Sequence, residues 1–388
     1  MVNIYIQLLK SNLILNHHQM KYICEKATEI FKKEPNVIKI NLPITICGNI
    51  YGYISDLLEI FKIGGIIPET NYLFLGNYID LLHSNSPNNS SLEVISLLLC
   101  LKILYPKRII LLRGIKESYD GCMNSGFFNI LKKTYGNEKM IDCFIKVFMS
   151  MPIAVLIDNT IFCVPSGLSQ NIETIEEINK IDNRFYYLIE DNIPQASIIR
   201  DLIYNIPWES EHDWFYDSLK KTYHFNINVT KEFIKKNEIK KIIRLEIERD
   251  NKGYHFQHNN IIISLHSCSN IFFHNNGAIL QIDENSNENF IEFNVKKEPK
   301  KNKLEINNID YFCLTNYYYL YNKSKVYYDY LVYEGVLSLK IKIKNNEYKK
   351  KIENKVKNMS YKNQLLFKIC CLPENQFFNV IKYSLKTI

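Results

Sequence analysis

Three apolar segments, each breaking into a polar turn, set the pattern of this chain: ITICGNIYG (44–52), NYLFLGNYID (71–80) and RIILLRGIKE (108–117). Between the first two, Leu57, Leu58, Ile60 and Phe61 fall at helical spacing, and Gly64 and Gly65 punctuate the end. Between the second and third, 92–104 predicts another helix, closed by Tyr105 and Pro106. Strand, helix, strand, helix, strand predicts parallel βαβ units, with helices covering both faces of the sheet. The carboxyl ends of such strands face a crevice. Asn49, Tyr51, Asn77, Asp80, Ile115, Lys116 and Glu117 therefore lie where chemistry is expected.

The same patterning extends outward. Met20, Ile23, Ala27, Ile30 and Phe31 make one stripe of a helix over 17–34, which Pro35 ends. A helical stretch over 127–149 precedes strands at 154–157 and 161–164, the second running into Pro165. A polar helix is expected at 173–181, then an irregular region holding Trp208 and Trp214. Strands at 241–244, 261–265 and 278–282 form a second group, so the expected architecture is an α/β fold with a central β-sandwich and helices outside. Residues 296–310 have linker composition. Residues 311–388 are expected to form a small appendage, in which 337–344 alternates apolar residues with lysine as a half-exposed strand does.

Composition narrows this picture. The 388 residues, 46% hydrophobic and 23% charged, suit a globular chain of one large domain plus something smaller. No apolar run reaches the roughly 20 residues of a membrane span, and the N-terminus lacks the basic start and cleavage site of a signal peptide. Ten scattered cysteines without a CxxC pair read as buried hydrophobes in a reducing compartment, so an intracellular location, cytoplasmic or nuclear, is expected. The net charge of +7 is uneven: from Lys296 onward 19 lysines face 8 acidic residues, which leaves the first 295 residues acidic.

The three turns, in order and spacing, resemble the phosphoprotein phosphatase family of serine/threonine phosphatases, close to the type 1 and 2A catalytic subunits. The family motifs G-D-x-H-G, G-D-x-V-D-R-G and G-N-H-E stand here as GNIYG (48–52), GNYIDLL (76–82) and GIKE (114–117). MPIAVLIDNTIFCVPSGLS (151–169), DLIYNIP (201–207), IIRLE (242–246) and NNGAILQID (275–283) extend the resemblance over roughly residues 3–295. It implies a calcineurin-like metallophosphoesterase fold over 1–295.

What the resemblance does not carry over is the chemistry. The family holds two metals with an Asp and a His from the first motif, the Asp of the second, the Asn of the third and two later histidines. Those positions are Asn49, Tyr51, Asn77, Ile115, Pro165 and Glu246 here. The proton-donating histidine is Lys116, while its acidic partner survives as Asp80. Two phosphate-gripping arginines become Leu81 and Leu219, and the tyrosine lining the family's cleft aligns with Ser269. Two dications at 4 Å repel by roughly 16 kcal/mol at an effective dielectric constant of about 20, and a bridging carboxylate must offset that repulsion. Asn77 is neutral, and Leu81 and Leu219 cannot make bidentate phosphate contacts.

These exchanges lead to an expected pseudophosphatase: no cofactor, protein partners, and an ion pair of Lys116 with Asp80, Glu117 or Glu246 in the space left by the metals. The resemblance to type 1 enzymes places one edge of a partner groove at FIEF (290–293), with Ile291 and Phe293 as its apolar residues. A second expectation keeps weak phosphoesterase activity with manganese, iron or zinc held through Glu246, Asn49 or Asn77. A third assigns binding of nucleic acid or another anionic surface to the lysine- and tyrosine-rich segment 311–388.

Overall fold

The computed structural model describes residues 2–10, 14–79, 90–136, 139–182, 184, 194–245, 252–271 and 275–296. The chain falls into two units, Met1–Leu304 and Glu305–Ile388, and every described residue belongs to the first. All of the expected linker at 296–310 except Lys296, and the appendage at 311–388, lie outside the described residues, as do Asp80, Leu81 and Glu246.

Fourteen strands are described: β1 (Val37–Ile40), β2 (Ile44–Cys47), β3 (Tyr72–Phe74), β4 (Ile109–Leu111), β5 (Ala154–Ile157), β6 (Ile161–Cys163), β7 (Ile206–Pro207), β8 (Trp214–Asp217), β9 (Thr222–Phe225), β10 (Lys241–Leu245), β11 (Tyr254–Gln257), β12 (Ile262–Leu265), β13 (Gly277–Ile282) and β14 (Glu288–Phe293). They form sheets ordered β1-β5-β6-β10-β12-β11, β14-β13-β2-β3-β4 and β7-β9-β8. β2, β3 and β4 run parallel, as their helical connections require. β6, β10 and β12 are parallel in the larger sheet.

The two large sheets face each other across a shared core. Ile44, Ile46, Leu73 and Ile110 from one meet Val155, Ile157, Cys163, Ile243, Leu245, Ile263 and Leu265 from the other. Alternate residues Ala154, Leu156, Phe162, Ile242 and Ile262 point into a second core on the far side of the larger sheet. The sheet is buried on both faces at its centre, which is why β5 and β6 read as continuous apolar runs and β10 and β12 as nearly so. The expectation of helices on both faces of β2-β3-β4 is corrected: one face packs on the second sheet. On the other, Phe61 meets Tyr72 and Phe74 edge-on at 5.3 and 6.1 Å.

The helices are α1 (Val2–Lys10), α2 (His17–Phe31), α3 (Ile54–Gly64), α4 (Ser91–Leu104), α5 (Tyr119–Met123), α6 (Gly126–Tyr135), α7 (Lys139–Ser150), α8 (Ile175–Asn179), α9 (Pro194–Tyr204) and α10 (Ile227–Lys236). Asn16 and Gln19 form a reciprocal cap that starts α2. α4 is buried along most of its length between α1, α2, α3 and β4, and it is apolar nearly all round. The stretch around Trp208 and Trp214, expected to be irregular, is the three-stranded sheet β7-β9-β8. Among the described residues no helix is long and apolar enough to cross a membrane.

Candidate functional site: three laced turns at the strand ends

The turns after β2, β3 and β4 bind one another through the backbone and one carboxylate. Glu117, fully buried, accepts from four main-chain N–H groups: Asn77 (2.8 Å) and Gly114 (3.1 Å) on Oε2, Tyr78 (2.8 Å) and Ile79 (3.4 Å) on Oε1. Burial pushes its carboxyl up to about 7, the four donors acting against that rise. The Asn77 carbonyl accepts from Ile50 and Tyr51, and the Tyr78 carbonyl from Gly52, which ties the first turn to the second. Gly76 adopts φ +124°, and a Cβ there would meet Gly114 at 2.6 Å. The second and third turns can therefore touch only as glycine backbone.

The positions expected to hold chemistry sit inside this frame. Asn49, Tyr51 and Asn77 are all buried, and Tyr51 and Asn77 adopt φ +50° and +56°. For Asn77 that conformation is ordinary, whereas for a tyrosine it is strained and costs on the order of 1 kcal/mol. The Asn49 Oδ1 accepts from the Ser267 N–H (3.3 Å), and the Asn77 Oδ1 from the Lys116 N–H (3.1 Å). Each amide oxygen is thus already an acceptor within the protein. The Tyr51 hydroxyl is buried without a hydrogen-bond partner among the described residues. Burial pushes its phenol far above the ordinary range, against a small downward pull from the nearby Asn49 and Asn77 amides.

Ile115 opens a single 3₁₀ turn, Ile115–Glu117, and packs on the second core. Lys116 is half-buried. Glu117, one of its expected ion-pair partners, accepts from four main-chain N–H groups. The other two expected partners, Asp80 and Glu246, lie outside the described residues. Pro165 is buried at the end of β6, and its carbonyl accepts from Leu245 at the end of β10. Leu219 is elsewhere, on the turn between β8 and β9 and 95% exposed, so the structure does not bring it among the buried turn residues.

Sequence reasoning missed a layer that joins the two sheets. Asn49 forms an isolated parallel bridge with His266, the first residue after β12. The His266 ring lies 6.3 Å from that of Tyr51. Ser267 accepts from the Gly48 N–H at 2.6 Å and donates to the Ala278 carbonyl at 2.5 Å. The buried Asp56, in the first turn of α3, accepts from both the N–H (3.2 Å) and the hydroxyl (2.7 Å) of Ser269. Ser269 is therefore buried and committed, and it lines no open cleft. The available signal was the break of the 261–265 apolar run into His266 and Ser267. Among the described residues no group of three or more His, Cys, Asp or Glu is placed to hold a metal ion.

At the expected groove edge, β14 is an outer strand paired only to β13 within its sheet. Phe293 is buried, its ring against the Gly277 backbone opposite it, and Ile291 is half-buried. The neighbouring aromatic surface is formed by Phe290 stacked on Tyr254 at 4.1 Å, with Phe256 beside it and 44% exposed.

Comparison with known proteins agrees with this architecture. Residues 42–244 match a family model described as calcineurin-like phosphoesterase. A protein serine/threonine phosphatase from Saccharomyces cerevisiae, described by its similarity to human phosphatase PP5, superimposes with a TM-score of 0.66 at 24% identity, covering 75% of this chain and 93% of that one. A cold-active protein-tyrosine phosphatase of a psychrophilic Shewanella species is a more distant structural neighbour: TM-score 0.47, 12% identity, 68% of this chain and 84% of that one.

Proposed function

The chain belongs to the calcineurin-like phosphoesterase family, and we propose that it acts as a pseudophosphatase, a phosphatase scaffold that binds protein partners without hydrolysing phosphate esters. Members of this family normally bind divalent metals. The observation that carries the proposal is the occupancy of the donors at the three turns. The Asn49 and Asn77 oxygens already accept backbone N–H groups, and Glu117 accepts four. The Tyr51 phenol is held neutral by burial, whereas a phenol ligand would have to ionise. Ile115 and Pro165 offer no side-chain donor. These residues do not fit a two-metal centre, and no reaction step is derived through one.

Asp80 and Lys116, the degenerate counterparts of the family's catalytic pair, belong to the same proposal as residues that no longer transfer a proton. Partner binding is assigned to the outer edge at β14, where Ile291 is half-buried and Phe256 exposed.

Elemental analysis of the purified full chain, together with turnover of a chromogenic phosphate ester and a phosphopeptide in manganese, tests the reading. Metal well below one ion per chain and turnover equal to buffer are the expected results. Near-stoichiometric manganese, iron or zinc, or turnover abolished by Glu246→Ala, would overturn it in favour of a weak metal-dependent phosphoesterase.

A further inference from the structure

Behind the third turn lies a cation that the proposed function does not use. Arg113, the last residue before Gly114, is fully buried. Its Nη1 donates to the Met149 carbonyl at 3.3 Å and the Arg184 carbonyl at 2.9 Å, and touches the Met149 sulfur at 3.5 Å. Its Nε and Nη2 are buried with no hydrogen-bond partner among the described residues. These two nitrogens form one edge of the guanidinium, the parallel N–H pair that matches two oxygens of a carboxylate or phosphate.

The surroundings leave this edge without a counter-charge among the described residues. Arg184, the neighbouring buried cation, is fully engaged at the C-terminal end of α2, donating to the carbonyls of Phe31, Glu34 and Pro35 and to Asn36 Oδ1, and it feels the charge of Glu34. The described groups that bear electrostatically on Arg113 are Arg184, which repels it, and Tyr204, which does not offset that repulsion at neutral pH. Burial depresses its pKa to about 9, which leaves it charged near neutrality. An unpaired buried guanidinium facing a second cation is electrostatically incomplete until an anion meets it. The Tyr204 and Ser118 hydroxyls lie 3.2 Å apart.

We propose that the Nε–Nη2 edge of Arg113 is an oxoanion site that takes a small phosphate or carboxylate, two oxygens at once, behind the degenerate centre. The site depends on a guanidinium fork and on no metal, so it is separable from residual phosphatase chemistry.

The test uses the full chain in EDTA, with inorganic phosphate, acetate and chloride compared at equal ionic strength. Melting a few degrees higher in phosphate or acetate than in chloride is expected, with calorimetry giving one saturable site per chain. The two arms separate phosphate from carboxylate preference. Arg113→Lys, which keeps the charge and loses the fork, is expected to weaken binding about tenfold or more. Unchanged binding in that variant would assign the anion to surface lysines and overturn the proposal. If the variant does not fold, the wild-type chain decides: a single EDTA-resistant site supports the proposal, and identical melting in all three salts with no saturable site overturns it.

Discussion

At the scale of single residues, most polar groups at the three turns satisfy one another, and the Tyr51 hydroxyl stands apart. It is buried with no hydrogen bond of good geometry among the described residues, although the Asn49 and Asn77 amides lie near it, and an unsatisfied buried polar group costs roughly 1–3 kcal/mol. Tyr51→Phe removes the oxygen and keeps the ring, so it should raise stability by about 1 kcal/mol, read as a higher urea midpoint at unchanged slope. Glu117 makes a pH prediction. Burial lifts its carboxyl from 4.5 to about 7 in the folded protein, so between these values the native state holds the proton that the unfolded chain releases. Its contribution, about 3 kcal/mol, is fully present below pH about 4.5 and lost as pH rises through about 7. Glu117→Gln should remove that part of the fall, measured as the difference between the two stability–pH curves. Motif spacing pointed to Asn49, Tyr51 and Asn77, and the structure places them at the turns. It could not show that Glu117 is the tie between them, because a carboxylate accepting four main-chain N–H groups has no side-chain pattern to read.

At the scale of elements, the strands legible in the sequence were those whose neighbours bury them on both faces: β3 to β6 are unbroken apolar runs, and β2, β10, β12 and β13 are apolar apart from Thr45, Lys241 and Arg244, Ser264 and Gln281. β7, β8 and β9 were not legible. Pro207 ends one, and Phe215 and Tyr216 are exposed on another, so neither a run nor a clean alternation survives. β1 and β11, at the outer edges of the larger sheet, are short and mixed in polarity for the same reason. Helix α3 is more than cover for its sheet. Through Asp56 its first turn holds the loop after β12, by two hydrogen bonds to Ser269 and a weaker contact from Cys268. Asp56→Ala would strand those donors in the interior and should cost about 2–4 kcal/mol. Exchange of the Ser269 amide should quicken well beyond the global loss, which hydrogen-exchange measurements can separate.

At the scale of the whole molecule, a phosphatase architecture is present while the donors at its centre serve the protein itself. If the frame is intact, metal binding is recoverable by substitution: Asn49→Asp, Tyr51→His, Asn77→Asp, Ile115→Asn, Pro165→His and Glu246→His together should raise bound manganese from well below one to about two ions per chain, measured by elemental analysis after gel filtration. Turnover should remain absent in that variant, since Lys116, Leu81 and Leu219 still stand where a proton donor and two phosphate contacts would be needed. No gain in metal would mean that the turns have moved away from the catalytic geometry. The lacing by Glu117 and the Gly76–Gly114 approach also has a consequence for descent. On the proposed pseudophosphatase reading, a frame closed by its own backbone exerts no demand on the residues at the family's ligand positions, so selection is relaxed inside it and strict on it. Among descendants of the same ancestor, positions 51 and 115 should drift widely while Gly76, Gly114 and Glu117 stay fixed, a pattern of divergence that selection for turnover does not leave.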